Sequence, residues 1–460
     1  MFGYRFLEKS KHTMISSIIF ILILAAAVGL FYRSARTIRR NIFLGREYDS
    51  ETSTSEKWKT MLRVAFGQSK MGKKPVAALM HLFVYVGFIL INIEVLEIII
   101  DGIFGTHRFF SSLLGQVYFV AINFFEILAV LVIVGVVIFW IRRVALRVPR
   151  FWKPEMKGWP TMDALNILYI EVILMGALLV MNAADQSLMN MNSEDLVAAG
   201  LSKYDIGMNG TFYVSALISK FLGSDPQLLF YIERTAWWFH IIGILAFLNY
   251  LPFSKHFHII LAFPNTYYAD LKPFGEWDNM ASVKKEVDLM MDPDADPYAS
   301  GAEEEEEETQ TFGAKDVTDL NWKQLMDAYT CTECGRCTAV CPANQTGKLL
   351  SPRKVMMDTR DRLDEVGKNL DRTGTIEDGK ALIRDYIRPE ELWACTTCNA
   401  CVEECPVMIN PVSIITDLRR YLVMEESAPP QELNSVFTNI ENNGAPWQFA
   451  QADRLNWSKE

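Results

Sequence analysis

The stretch that decides the architecture is CTECGRCTAVCP at residues 331–342, answered by CTTCNACVEECP at residues 395–406. Each reads Cys-x2-Cys-x2-Cys-x3-Cys-Pro. Three closely spaced thiolates wrap one cube of iron and sulfide. The fourth lies across the fold, and the proline after it stops it turning back toward its own trio. In paired motifs the fourth cysteine serves the other cluster. The expected ligand sets are therefore Cys331, Cys334, Cys337 and Cys405 for one [4Fe–4S] cluster, and Cys395, Cys398, Cys401 and Cys341 for the other. Zinc ribbons use paired Cys-x2-Cys knuckles, not a three-cysteine run closed by Cys-Pro. An extracellular disulfide domain also has an even cysteine count, but not this spacing. All eight cysteines lie in these two runs. None is left for a thiol catalyst or a further cysteine-ligated site.

Around the cysteines, residues 317–428 read as a mainly α, ferredoxin-like dicluster domain. Helical patterns at Leu320–Tyr329, Pro352–Val366, Ile376–Tyr386 and Pro411–Met424 flank the two runs. Residues 429–460 open on Pro429-Pro430 and read as an extended tail. Residues 266–316 form an acidic linker, with Asp-Pro repeats near 292–297 and six consecutive glutamates at Glu303–Glu308. That composition suits a solvated, disordered tether.

Residues 1–265 hold almost all the long apolar runs. A chain of 460 residues is too long for one compact domain, and the split suggests a membrane portion followed by a soluble one. Five stretches reach the roughly 20 residues a membrane helix needs: 14–32, 76–100, 114–140, 163–182 and 235–252. Arg33, Arg36, Arg39 and Arg40 follow the first; Lys70, Lys73 and Lys74 precede the second. Arg142, Arg143, Arg147, Arg150 and Lys153 join the third to the fourth, and Lys255 follows the fifth. The opposite loops, 101–113 and 183–233, carry few basic residues. The positive-inside rule then puts the N-terminus outside and everything after residue 255 in the cytoplasm. No small-residue cleavage site follows the first run, which reads as a retained helix. A formal net charge of −10 argues against nucleic acid as a partner.

The six histidines are His12, His81, His107, His240, His256 and His258. Imidazoles from two facing helices are the usual axial ligands of a b-type haem in a bundle. A lone intramembrane histidine can instead hydrogen-bond a neighbouring helix. His240 and His258 lie five helical turns apart, sharing a face at levels about 27 Å apart. His256 falls about 160° off that face, and Pro252 can kink the helix and spoil the count. His81 and His258 sit at compatible depth near the cytoplasmic ends of the second and fifth spans and form the expected axial pair for one haem b. His240 is the candidate for a second haem, but Asn92 stands where its partner is needed. His107 falls in an outer loop and His12 near the outer surface. Two acids, Glu126 and Glu171, lie within apolar spans. Ionisable groups at such depth often mark proton paths, so both are candidates for quinone-coupled protons; pairing with polar groups of the bundle is the alternative.

The five-span layout, the His240–His258 spacing and His81 resemble the haem b (gamma) subunit of respiratory nitrate reductase and the membrane subunit of heterodisulfide reductase. The second histidine that family carries on its second helix is missing here. Cys-Thr-Glu-Cys-Gly-Arg-Cys at 331–337, Ser351-Pro352-Arg353-Lys354, Asn439-Ile440-Glu441-Asn442 and Pro446-Trp447 are similar to the dicluster subunit of heterodisulfide reductase. Related membrane Fe–S oxidoreductases continue into cysteine-rich CCG domains that accept electrons from, for example, electron-transfer flavoprotein. The resemblance implies that a separate CCG subunit, of the kind that can serve a flavoprotein, partners this chain in a bacterial or archaeal cytoplasmic membrane. The implied role is that of a quinone-linked oxidoreductase subunit. A reading from another class is a haem-free Fe–S anchor or redox-sensing module without quinone turnover.

Overall fold

The computed structural model describes residues 2–50, 52–206, 210–277, 279–293, 312–447, 450–453 and 455–459. The Glu303–Glu308 run, most of the Asp-Pro stretch and the side chain of His12 lie outside the described residues. The fold is mainly helical, with no strand among the described residues. It divides into two units, one of Met1–Arg39, Gly67–Ile260 and Thr332–Cys334, the other of Arg40–Phe66, Leu261–Cys331 and Gly335–Glu460.

The first unit is built on five helices: α1 (Phe2–Ile42), α2 (Pro75–Phe104), α3 (Val117–Trp140), α4 (Trp159–Met189) and α5 (Pro226–Tyr250). All five are long and apolar enough to cross a membrane. Their ends follow local chemistry rather than hydropathy. Pro75 and Pro226 stand at first helical positions, where a missing N–H costs nothing. Asp225 caps α5 by accepting from Leu228 N at 2.8 Å. Gly105, at φ 69°, closes α2 in the left-handed region. The fifth span thus starts at Pro226 rather than 235. The fourth runs on to Met189 rather than 182.

The bundle core joins Ile91, Ile98, Ile122, Ala129, Val136, Leu178 and Ile241. α2 and α3 come together at Gly87, where an added Cβ would lie 2.4 Å from Val132 Cγ2. Only glycine allows that approach. α5 does not continue to His258. Pro252 lacks the N–H a helix needs, and Leu251–Phe253 and Lys255–Phe257 are 3-10 turns. The count of five turns between His240 and His258 is therefore not realised.

The second unit takes in α6 (His258–Tyr267) from Leu261 onward, and its α7 (Ala281–Met291) lies where a disordered tether was expected. α8 (Trp322–Thr330) begins with a capping box between Asn321 and Gln324. It is followed by α9 (Arg336–Val340), α10 (Pro352–Thr373), α11 (Ala400–Glu404) and α12 (Pro411–Met424). α10 is the scaffold between the cysteine runs. Its Arg362, 1% exposed, donates to both oxygens of Asp316 (2.6 Å from Nη2), to Asp378 (2.7 Å) and to the Lys380 carbonyl (2.9 Å). Residues 429–460, expected to be extended, instead begin with α13 (Gln431–Asn443), entered from Pro430 and closed by left-handed Gly444. Proline directly before a helix does not oppose it, since its missing N–H lies outside the helical ladder.

Candidate metal centre

The two cysteine runs adopt the same backbone. In the first, Glu333 (φ 52°) and Gly335 (φ 68°) are left-handed; in the second, Thr397 (φ 55°) and Asn399 (φ 58°) occupy the equivalent places. These reversals wrap each loop around a point. A short helix follows each loop, α9 after the first and α11 after the second. Each of these helices ends on an extended cysteine, Cys341 (φ −69°, ψ 118°) and Cys405 (φ −70°, ψ 122°). Pro342 and Pro406 come next. Glu333 and Thr397 bear side chains where glycine is the easy choice, so this conformation is imposed by the loop.

The electrostatics show which thiols meet. Burial pushes the Cys401 thiol up to about 12, and the neighbouring Cys395, Cys341 and Cys398 add to the rise. Cys395 is raised by burial as well, with Cys341 and Cys398 contributing. Cys341, the fourth cysteine of the first run, thus stands beside the trio of the second. Thiols gathered in this way would share a positively charged group, which would offset the rise and hold them as thiolates. Thr397 N donates to Cys395 Sγ at 3.4 Å and Ile409 N to Cys405 Sγ at 3.3 Å, bonds that favour sulfur carrying negative charge. Arg419 fixes the second loop by donating to the carbonyls of Leu392 (2.5 Å) and Cys395 (2.6 Å), with its guanidinium 4.9 Å from the Trp393 ring. Three closely spaced thiols in each run, closed by a fourth before proline, are the donor set a four-iron cube takes.

The histidines fall at two levels. His240 is fully buried; its Nδ1 lies 2.9 Å from the Leu174 carbonyl, and its Nε2 is buried with no hydrogen-bond partner. A ring whose Nδ1–H is bonded to a carbonyl presents Nε2 as a bare lone pair, the orientation an axial haem nitrogen needs. His258 Nδ1 lies 3.0 Å from the Lys255 carbonyl. His256, set aside in the sequence for facing the wrong way, lies beside it, ring centroids 5.4 Å apart. Burial pushes His256 down to about 3, with His258 and His81 adding to the effect. His81, His256 and His258 thus gather at one end, and His81 stacks on Tyr85. Only a break in α5 brings His256 in, and Pro252 was its signal.

The two acids differ. Glu126 is buried and accepts from Val214 N (3.0 Å), Ser215 N (3.1 Å) and the Ser215 hydroxyl. It pins the returning loop to α3. Glu171 is half-buried and makes no hydrogen bond or ion pair among the described residues. Sequence reasoning passed over a larger network at the opposite end from His256. Arg108 donates to Asp185 (2.6 Å), Asn182 (2.6 Å), Tyr118 (3.0 Å) and Glu94 (3.2 Å). Tyr118 in turn donates to Glu97 at 2.7 Å. A signal was present: Glu94, Glu97 and Asp101 share one helical face within an apolar span.

Fold and loops together define an iron–sulfur protein with a multi-pass membrane portion. Residues 323–406 match the 4Fe-4S dicluster domain family. Over 477 residues the chain is 28% identical to the probable iron-sulfur-binding oxidoreductase FadF of Bacillus subtilis, covering 97% of this chain and 61% of that protein. It is 28% identical over 428 residues to the EtfAB:quinone oxidoreductase of Syntrophomonas wolfei, covering 86% of this chain and 53% of that protein. It is 37% identical over 163 residues to the probable membrane-anchored ferredoxin of Chromohalobacter salexigens, covering 32% of this chain and 24% of that protein. The expected likeness to heterodisulfide reductase is found over shorter stretches, with subunits D and C. The chain spans a little over half the length of the first two relatives. No solved structure matches it.

Proposed function

We propose that this chain is the membrane electron-transfer subunit of a quinone-linked oxidoreductase. It moves electrons between a soluble redox partner on the cytoplasmic side and quinone in the lipid. The observation that carries the reading is the doubled cysteine loop, with Cys341 set beside Cys395, Cys398 and Cys401. The clusters would supply one-electron, outer-sphere transfer, and haem b would extend it into the bilayer. Cys331, Cys334, Cys337 and Cys405 would hold the first cluster, and Cys395, Cys398, Cys401 and Cys341 the second. His81 and His258 would hold one haem, and His240, with its bare Nε2, would hold a second. Glu171, unpaired within a span, remains a proton-handling candidate; Glu126, with its oxygens committed, is the weaker one. The quinone assignment is supported by likeness to a protein named as an EtfAB:quinone oxidoreductase. The partner proposed is a CCG-type Fe–S protein or an electron-transfer flavoprotein.

The test uses the full chain, purified anaerobically into lipid nanodiscs. Pyridine haemochrome should show haem, and a menaquinol analogue should reduce the visible chromophores. Absence of reduction by every quinol tried, in protein with full cluster absorbance, would overturn the quinone role. Likeness to a probable membrane-anchored ferredoxin favours a second reading, an Fe–S anchor without haem. A cluster-replete protein with no haemochrome would establish it.

A further inference from the structure

A cavity of about 200 Å3 opens where α2 ends, at the opposite end of the first unit from His256. Phe20 of α1 and Phe230 and Trp237 of α5 give it flat apolar walls; Thr106, His107 and Lys203 give it polar ones. The His107 side chain is 7% exposed. Its Nε2 lies 2.9 Å from Asp185 Oδ1, while its Nδ1 has no partner among the described residues. Asp185 is itself buried, and its second oxygen accepts from Arg108 Nε. A histidine in a cavity wall, steadied by a buried carboxylate through one ring nitrogen and left without a partner at the other, is arranged to take and give protons. Behind it, Glu94 Oε2 is buried with no partner. Glu94, Glu97, Asp101, Asp185 and Glu233 are all buried near Arg108 and Arg234, and Lys203 lines the same cavity. A proton leaving His107 thus meets buried carboxylates rather than apolar side chains.

We propose that this cavity takes the headgroup of a quinone, with His107 Nδ1 as the atom that exchanges its proton. The inference rests on the quinone-linked reading above. A planar ring fits between the aromatic walls, and a ring oxygen can meet His107. In the oxidising direction two O–H bonds of the hydroquinone break and two carbonyls form. The two electrons pass to the chain's own iron centres. The protons pass one after the other to His107, which discharges the first before taking the second. Reduction of quinone is the reverse.

The test is binding of the fluorescent quinone analogue heptyl-hydroxyquinoline N-oxide to the full chain in nanodiscs, read by quenching. Ser17→Trp fills the cavity from α1; Thr106→Phe fills it from a loop and guards against a misfolded first variant. Both should weaken binding at least tenfold with cluster absorbance unchanged. His107→Gln keeps a side chain that can donate to the ring oxygen but cannot take its proton, so it should slow reduction of the iron centres by quinol on the order of a hundredfold, the size of a lost acid–base group; a parent-like rate would overturn the role of His107. Parent-like binding by both filled variants would overturn the site while leaving the quinone reading intact. No binding by the parent chain, with no quinol reduction, would overturn both.

Discussion

Replacing Arg362 with methionine tests the scaffold that holds the two cysteine loops in register. The side chain is 1% exposed, and the carboxylates of Asp316 and Asp378 it neutralises are each 18% exposed. Breaking a buried ion pair by removing one partner costs about 3–5 kcal/mol. Partial exposure of both acids screens them, so a loss of about 2–4 kcal/mol is expected. At about 2–4 °C per kcal/mol for a unit of this size, melting should fall by roughly 5–15 °C. The assay is loss of cluster absorbance on anaerobic heating of the full chain. The hydrogen bond from Arg362 holds Asp378 down at about 2. A folded-state value below the unfolded one stabilises above the ordinary carboxylate range, near 3.9, and fades only as pH falls toward the depressed value. The penalty of the variant should thus be constant from pH 8 to 5. A melting change under about 2 °C, or a penalty that shrinks across that range, would refute the reasoning.

Three further outcomes follow from the geometry. Cys341→Ser should perturb the cluster of Cys395, Cys398 and Cys401 and spare that of Cys331, Cys334 and Cys337; electron paramagnetic resonance of the reduced full chain, set against Cys398→Ser and Cys334→Ser, reads which signal changes. Glu126→Ala should leave two backbone donors of the returning loop, Val214 N and Ser215 N, unpaired at about 1–3 kcal/mol, seen as faster proteolysis between 183 and 225 with cluster content unchanged. Gly87→Ala should destabilise the α2–α3 contact by about 1–3 kcal/mol, and adding Val132→Ala should recover most of it, as thermal melts in detergent would show.

How far the sequence could be read depended on the range of the interaction involved. The cysteine runs are local patterns, and residues 323–406 match the 4Fe-4S dicluster domain family they pointed to. The apolar spans are local too, so their number was legible. Their ends were not. Glu233 and Arg234 lower the hydropathy of the first turns of α5, yet they neutralise each other, and the helix extends through them. Glu94, Glu97 and Asp101 stand at the end of the second span and drew no assignment from the sequence. Their cation, Arg108, comes from the next loop, and Asp185 from α4, so only tertiary structure reveals the network. Pro252 marked the break in α5 in advance, but not its consequence, the approach of His256 to His258. α13 was lost to an over-reading of Pro429-Pro430, which marks where a helix can begin as readily as where a tail does.

Iron and acid-labile sulfide in the anaerobically purified full chain, determined together with its low-temperature Mössbauer spectrum, bear most directly on the claim that these eight cysteines hold two cubes. About eight irons and eight sulfides per chain, all in four-iron clusters, is the result the paired loops require. Zinc in place of iron, or cystine bridges with neither iron nor sulfide, would contradict it.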